Sequence, residues 1–574
     1  MTKFVFLMFS RKHFIKIIIF FFCLLLLAPL VKADYTGQQT TFFVEPSYDS
    51  SNRSQLNATL ILITSKLYFY VDASWWTTLA YADRDTVNRN LYYLSHRFED
   101  EDYSVLTKTF GFEAKPGIDN DEHITVLIHS MTANISGYVR SVDLYEQAKK
   151  SNSNQREMVY LNGEKILTVS ASQIGYYLAH EFMHLITLNQ KDAAGAATDD
   201  VWLNEARAEY ISTLLGYDAS YSGSNLEERV NDFWQNPSVS LLNWQNDRYH
   251  YAVADIFAQY VVDQYGLKIL VDSLHSKLSG IASLNEALKN NGFSEDFSQL
   301  FQNWTLAVLL NDCNVGPKYC YKNNELANLR IFPYGYYLPD TGSSNLAVSN
   351  NLTSWAGNWL KIVGGRDVLK LDFNFPANIK FSLPYVVVDA AGNKTVKLWG
   401  DSAGYSGTII VPSFNTTNVA LFLIPIIMES PATSESYAFK WQASTITEAE
   451  RPQAEKAAEQ KMNIFLMSRI KQLQAQLAAL LSQLAVLQGK TGNLSCGKFY
   501  NDLYFGLENN REVSCLQRFL LSQGSDIYPE GLVSGNYFGL TKAAVIKYQA
   551  KNSLPQTGYF GPLTRSLVNN QLGQ

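Results

Sequence analysis

The chain has 574 residues, of which 47% are hydrophobic and 17% charged, and its formal net charge is −6. A chain of this length holds several domains, each able to bury a core. The charge is mild, so nothing in it argues for nucleic acid, and no nucleic-acid partner is expected.

At the N-terminus, Arg11, Lys12 and Lys16 precede the apolar run Ile17–Leu30, and Val31-Lys32-Ala33 offers small residues at the two positions a signal peptidase reads. Residues 1–33 are expected to be an export signal cut after Ala33, with an uncleaved anchor as the alternative. The apolar core is about 14 residues, short for a membrane span. Cys23 lies inside that core and does not fit a lipoprotein site. Export would leave four cysteines, Cys313, Cys320, Cys496 and Cys515. An even number in an exported chain suggests disulfides, and of the three connectivities proximity favours Cys313–Cys320 and Cys496–Cys515.

Residues 34–165 read as strands and loops, with β-rich runs at Leu60–Ile63, Leu67–Val71 and Ile124–Ile128 and a helix over Asp85–Phe98. Gly117 to Glu122 offers Asp119, Asn120 and Asp121 as Ca2+ ligands. A polar turn is the preferred reading, because the remaining ligands of a calcium loop are missing.

From about residue 170 the pattern turns helical, and one motif dominates it. His180-Glu181-Phe182-Met183-His184 matches H-E-x-x-H within the apolar run Ile174–Ile186. Residues four apart share a helix face, so the two imidazoles can chelate one metal ion, and Glu181 flanks the open coordination position. Ser170 and Gln173 read as a capping box opening this helix. A polar loop, Lys191–Asp200, leads to a second helix near Val201, with Asp200 as its cap. That helix carries Glu205 and Glu209 on one face, and a carboxylate arriving from it would complete a three-ligand site. Further amphipathic runs are expected at Tyr251–Tyr265, Ile269–Leu278, Leu284–Lys289 and Phe297–Leu310.

H-E-x-x-H followed about twenty residues later by Asn204-Glu205-x-x-x-Glu209 resembles the gluzincin metallopeptidases, the thermolysin and aminopeptidase N group. The wording Ala-His-Glu-Phe-Met-His with Trp-Leu-Asn-Glu-Ala-Arg-Ala-Glu-Tyr is most similar to the hyicolysin-type secreted bacterial enzymes, over about residues 60–310. The resemblance implies that His180, His184 and Glu205 bind one Zn2+ and that Glu181 is the general base. It implies that Glu209 sits behind a ligand histidine and orients it. It also implies an oxyanion donor in Arg248–Ala252, where Tyr251 best fits the family's Tyr-x-x-Ala helix opening and Tyr249 and His250 are rivals. In this fold class an edge strand before the metal helix pairs with extended substrate, which assigns that role to Glu157–Asn162. The aminopeptidase sequence Gly-x-Met-Glu-Asn is absent, which favours an endopeptidase, though Glu157 keeps the question open.

Residues 335–446 become all strand, with a hairpin signal at Ala390–Asn393, and read as a β-sandwich without a chemical constellation. Residues 447–489 are rich in Glu, Gln, Ala, Lys and Leu. There Leu466, Ile470, Leu473, Leu477, Leu480, Leu484 and Leu487 recur at alternating spacings of four and three. Such a seam can form a homodimeric coiled coil or a single stalk packed on a neighbour. In the last 80 or so residues, Gly535–Thr541 is echoed by Gly558–Thr564, each running into a helix, with Cys515–Leu520 upstream. This resembles the three-helix peptidoglycan-binding domain, over about residues 498–572, and implies a wall-binding role.

The expected fold class is thus multidomain: an α+β gluzincin-like metallopeptidase, an all-β sandwich, a coiled-coil stalk and a small all-α three-helix domain. The expected boundaries are 1–33 for the signal, 34–330 for the zinc metallopeptidase (34–165 β-rich, 166–330 helical), 335–446 for the sandwich, 447–489 for the linker and 494–574 for the peptidoglycan-binding-like domain. The expected function is a secreted or envelope-located zinc endopeptidase acting on protein or peptide and tethered to peptidoglycan. A murein cross-link endopeptidase and a non-catalytic surface-binding protein with a degenerate peptidase domain are the alternatives.

Overall fold

The computed structural model describes residues 33–196, 198–341, 344–377, 379–399, 405–429, 436–487 and 496–572, with side chains described only in part between 464 and 487. The expected export signal, residues 1–32 with Ala33 at its end, lies outside the described residues apart from Ala33 itself. The chain falls into two compact units. Of the described residues, the first comprises those up to 369, then 374–399 and 411–446, and the second comprises 370–373, 405–410 and those from 447 on.

The first unit opens with strands β1 (Gln39–Phe43), β2 (Gln55–Ile63), β3 (Leu67–Asp72), β4 (Ile124–His129), β5 (Gly137–Tyr138) and β6 (Met158–Asn162), in the sheet order β1-β2-β3-β4-β6-β5. β3, β4 and β6 run parallel to one another and are buried along their whole length. Strands covered on both faces read as continuous apolar runs, which is the pattern of Leu-Tyr-Phe-Tyr-Val and Ile-Thr-Val-Leu-Ile. On one face Phe69, Val126 and Val159 meet Leu178, Phe182 and Met183 of the long helix α1 (Ala171–Ala193). On the other, Tyr70, Leu127 and Tyr160 meet Phe42 and Leu60.

The expectation that Glu157–Asn162 forms the edge strand is corrected here. β6 lies inside the sheet, and the edge is the two-residue strand β5, whose Gly137 and Tyr138 oppose Leu161 and Tyr160. The chain reaches this edge about twenty residues before it lays down β6, so sequence order does not follow sheet order.

α1 begins where the Ser170 hydroxyl accepts the Gln173 N–H at 3.2 Å. Next come α2 (Val201–Leu214), α3 (Asn225–Gln235), α4 (Arg248–Tyr265) and α5 (Phe297–Leu310), which share one apolar core around Phe233, Phe257 and Trp304. Asp200 precedes α2, but its side chain makes no cap hydrogen bond. Its neighbour Asp199 is the anchor instead: one oxygen accepts the N–H groups of Asp200 and Gly280, and the other accepts the Arg207 guanidinium at 2.6 Å. Lys191, near the end of α1, donates to the carbonyls of Ser273, Ser276 and Leu278 and lies 3.8 Å from Asp199. This buried network fixes the loop joining α1 to α2.

Strands from β7 (Tyr334–Leu338) to β16 (Ser436–Ile446) follow. Within the first unit, β8 (Asn345–Thr353) pairs antiparallel with β16 over nine residue pairs. A second sheet has the order β12 (Lys394–Trp399), β11 (Phe381–Asp389), β14 (Asn418–Leu423), β9 (Leu360–Gly364), β7. The turn at Asp389–Asn393 closes the hairpin expected there. Strands of this region are seated on α5, where Trp359 Nε1 donates to the Thr305 carbonyl at 2.9 Å and Trp355 packs on Phe297 and Phe301. Cys313 is bonded to Cys320, just after α5.

In the second unit, helix α6 spans Arg451–Leu487, and its described seam residues Ile470, Leu473, Leu477 and Leu480 are exposed. Helices α7 (Arg511–Ser522), α8 (Gly539–Lys551) and α9 (Pro562–Leu572) enclose a core of Leu516, Leu520, Tyr537, Val545, Tyr548 and Phe560. Cys496 is bonded to Cys515 on α7. The sequence echo has a structural counterpart. Gln517 on α7 accepts from Gly535 N–H and donates to Asn536 O and Thr541 Oγ1. Gln549 on α8 accepts from Gly558 N–H and donates to Tyr559 O and Thr564 Oγ1. Each buried amide therefore clamps the turn that opens the next helix, and both its donor and acceptor sides are satisfied.

Candidate metal centre

α1 and α2 bring His180, His184 and Glu205 to one point, with one ligand atom from each all within 4.8 Å of one another. Among the described residues no other group of three His, Cys, Asp or Glu does so. The imidazoles project from consecutive turns of α1, their rings 4.9 Å apart and near perpendicular. Their Nε2 atoms lie 3.4 and 3.5 Å from the same carboxylate oxygen, Glu205 Oε2. Donors set about 2.0–2.2 Å from a tetrahedral cation stand about 3.4 Å from one another, so the spacing suits zinc with one position left over. Glu205 Oε2 is buried and has no hydrogen bond, a costly state unless a cation takes its charge. The residues present therefore fit the ion.

The three side chains also compensate one another electrostatically. Burial disfavours the Glu205 carboxylate, yet His184 and His180 hold its pKa far below the ordinary value. Burial also disfavours a protonated His184, but Glu205, Glu181 and Asn204 raise its pKa to about 9.

The three candidate ligands are themselves held. Tyr176, one turn before His180, places its hydroxyl 3.2 Å from His180 Nδ1. Glu209 Oε1 lies 3.8 Å from the same nitrogen. The Glu209 carboxylate is gripped from α3 by Arg229, through two contacts at 2.7 and 3.0 Å, and by Asn225 at 3.0 Å. His184 Nδ1 is buried without a hydrogen bond, as is Asn204 Oδ1, and Asn204 is close enough to favour a proton on His184. From the sequence, Tyr176, Asn225 and Arg229 were not singled out, and Asn204 was named in the motif without a role. Tyr176 could have been found as i−4 from His180 on the same face, and Asn204 as the neighbour of Glu205. Asn225 and Arg229 come from a separate helix and carry no local signal.

Glu181 is buried, and burial raises its pKa above the ordinary carboxylate value against the pull of His180 and His184. Its side chain lies beside the sheet edge, because a Cβ placed on Gly137 would stand 3.0 Å from both its Cγ and its Oε1. Tyr251 sits at the start of α4 beneath Arg229, with its hydroxyl donating to Asn246 Oδ1 at 2.8 Å. Burial, together with Glu205, Glu181 and Glu209, pushes its pKa far upward, so it keeps its proton. The rivals are engaged elsewhere: His250 is buried on Asp247, and the Tyr249 hydroxyl accepts from Arg248.

Glu157 does not join this group. Its carboxylate lies against Gly117, where a Cβ would come within 1.8 Å of Oε2. Nearby, Asp119 accepts the Asp121 N–H, and the Asp121 carboxylate is taken by Tyr68 and His123.

Residues 509–567 match the family model described as "Putative peptidoglycan binding domain". No curated protein matches the chain. Among solved structures, the M60 catalytic domain with the CBM51-1 and CBM51-2 domains from Clostridium perfringens ZmpB aligns at 9% identity and a TM-score of 0.24, covering 68% of this chain and 60% of that one. The family GH115 4-O-methyl-alpha-glucuronidase BtGH115A aligns at 11% identity and a TM-score of 0.13, covering 57% of this chain and 52% of that one. The chain thus spans 60% or less of either protein's length. Neither TM-score reaches that of a shared fold, so the reading of the site rests on its own geometry.

Proposed function

We propose that the chain is an exported zinc endopeptidase held at the cell wall by its C-terminal helical region. The observation that carries the reading is the convergence of His180, His184 and Glu205 Oε2 with Glu181 beside them. A bound zinc would acidify a water and polarise the scissile carbonyl. Glu181 takes the proton from the attacking water and delivers it to the departing amine, and its burial brings its basicity nearer the working pH. Tyr251, protonated throughout, donates to the oxyanion after leaving Asn246. Tyr176 and Glu209 fix the His180 ring, with Arg229 and Asn225 fixing Glu209.

A second reading, cleavage of murein cross-links, is favoured by the peptidoglycan-binding match at residues 509–567. The test is digestion of a protein mixture and of purified wall sacculi, profiled by mass spectrometry with and without chelator and with Glu181→Gln. New peptide ends that vanish with chelator and in the variant support the proposal. Ends from sacculi alone favour the murein reading. Products unchanged in Glu181→Gln would remove Glu181 from the mechanism, and no products at all would leave a binding protein.

A further inference from the structure

The C-terminal helical unit exposes aromatic rings that its core does not use. Tyr504 is 52%, Phe505 59%, Phe538 41% and Tyr559 41% exposed. They come from three separate turns, and contacts link them in two neighbouring pairs, Phe505 with Phe538 and Tyr504 with Tyr559. Phe505 and Phe538 meet edge to face at 6.1 Å. Lys542 Nζ stands 5.9 Å above the Phe505 ring, and its Cγ would be 2.6 Å from a Cβ on Gly558, the residue before Tyr559. The Tyr559 hydroxyl donates to Asp502 at 2.7 Å, and Asp502 also holds Arg565. Leu503 and Phe560 exchange backbone hydrogen bonds, which sets Tyr504 beside Tyr559. Leu563 adds a 66% exposed aliphatic side chain nearby.

A folded unit rarely leaves two such pairs of rings uncovered in neighbouring turns unless something docks on them. The chemistry of the face narrows the occupant. Flat apolar rings with hydroxyls at their rims suit a ligand that is apolar on its faces and polar at its edges. A pyranose ring is such a ligand, with C–H groups on its faces and hydroxyl and acetamido groups around it. A stem peptide, with its free carboxylates, would be drawn by charge more than by rings, and of the cations on this face Arg565 is paired with Asp502 and Lys542 lies over the Phe505 ring. The family match makes peptidoglycan the polymer to consider.

We propose that Tyr504, Phe505, Phe538 and Tyr559 form a stacking platform for the N-acetylhexosamine rings of the peptidoglycan glycan strand. This rests on the wall-binding part of the proposed function and specifies which moiety of the wall is held. The platform reads sugar rings in sequence along a strand and ignores the peptide cross-links.

The test is co-sedimentation of the full chain, in a Glu181→Gln background so that nothing is cut, with whole sacculi and with glycan strands stripped of stem peptides. The expected result is binding to both. Tyr559→Ala or Phe505→Ala should raise the dissociation constant about tenfold for each. Tyr559→Phe, which keeps the ring, should bind within about twofold of the parent chain. Binding to sacculi but not to stripped strands would overturn the glycan assignment and leave wall binding standing. Binding to both with the alanine variants undiminished would overturn the platform. Binding to neither would overturn wall binding itself, and the platform with it.

Discussion

Gly137 lies directly against Glu181. A Cβ on Gly137 would stand 3.0 Å from Glu181 Oε1 and 2.9 Å from the carbonyl oxygen of Tyr160. Neither neighbour yields readily, since one is backbone and the other is a buried carboxylate. The φ of Gly137 is not left-handed, so space rather than backbone freedom demands glycine here. Gly137→Ala should push the Glu181 carboxylate by a few tenths of an ångström and lower kcat by about tenfold. Zinc content should stay at one per chain. Loss of zinc together with activity would show that the substitution disrupts the fold and not the base.

Glu157 predicts a pH dependence of stability. Burial first, then the charge of Asp119, raises its pKa from 4.5 to about 7. A carboxyl whose folded pKa lies above its unfolded one favours the folded state most while it is protonated. That contribution is complete below about pH 4.5 and is lost as pH rises through about 7, with a total of roughly 3 kcal/mol. Denaturant unfolding should show this decline in the parent chain and a flatter profile in Glu157→Gln. Parallel profiles across that window would contradict the assignment.

Asp199 predicts a structural loss. It accepts from Arg207, which is fully buried, and faces Lys191. Asp199→Ala would leave two buried cations without their counter-charge and should cost about 3–5 kcal/mol. Urea midpoints of the two proteins measure it. A change under about 1 kcal/mol would mean that water replaces the carboxylate.

The parts legible in the sequence were those whose partners are close along the chain. H-E-x-x-H places two imidazoles on one face by helix periodicity alone, and the next helix brings Glu205. The echo of Gly535–Thr541 in Gly558–Thr564 became two matching clamps, because the same small-residue turn needs the same buried amide, Gln517 or Gln549. What the sequence hid is non-local. Arg229 reaches Glu209 from a helix of its own, and Gly137 reaches Glu181 across the sheet edge. Neither contact leaves a periodic trace. The edge strand was misplaced for the same reason, since β6 precedes α1 in sequence but is flanked by β4 and β5 in space. Asp200 looked like a cap by spacing, while the neighbouring Asp199 was drawn into hydrogen bonds with Gly280 and Arg207.

The central claim is one zinc ion held by two imidazoles and one carboxylate. X-ray absorption at the zinc edge, on the full chain loaded with one equivalent, tests it most directly. Only nitrogen and oxygen donors at about 2.0–2.2 Å are expected, with the scattering signature of two imidazoles, reduced to a weaker shell in Glu205→Ala. A sulfur shell near 2.3 Å, or fewer than two imidazoles in the parent chain, would contradict it.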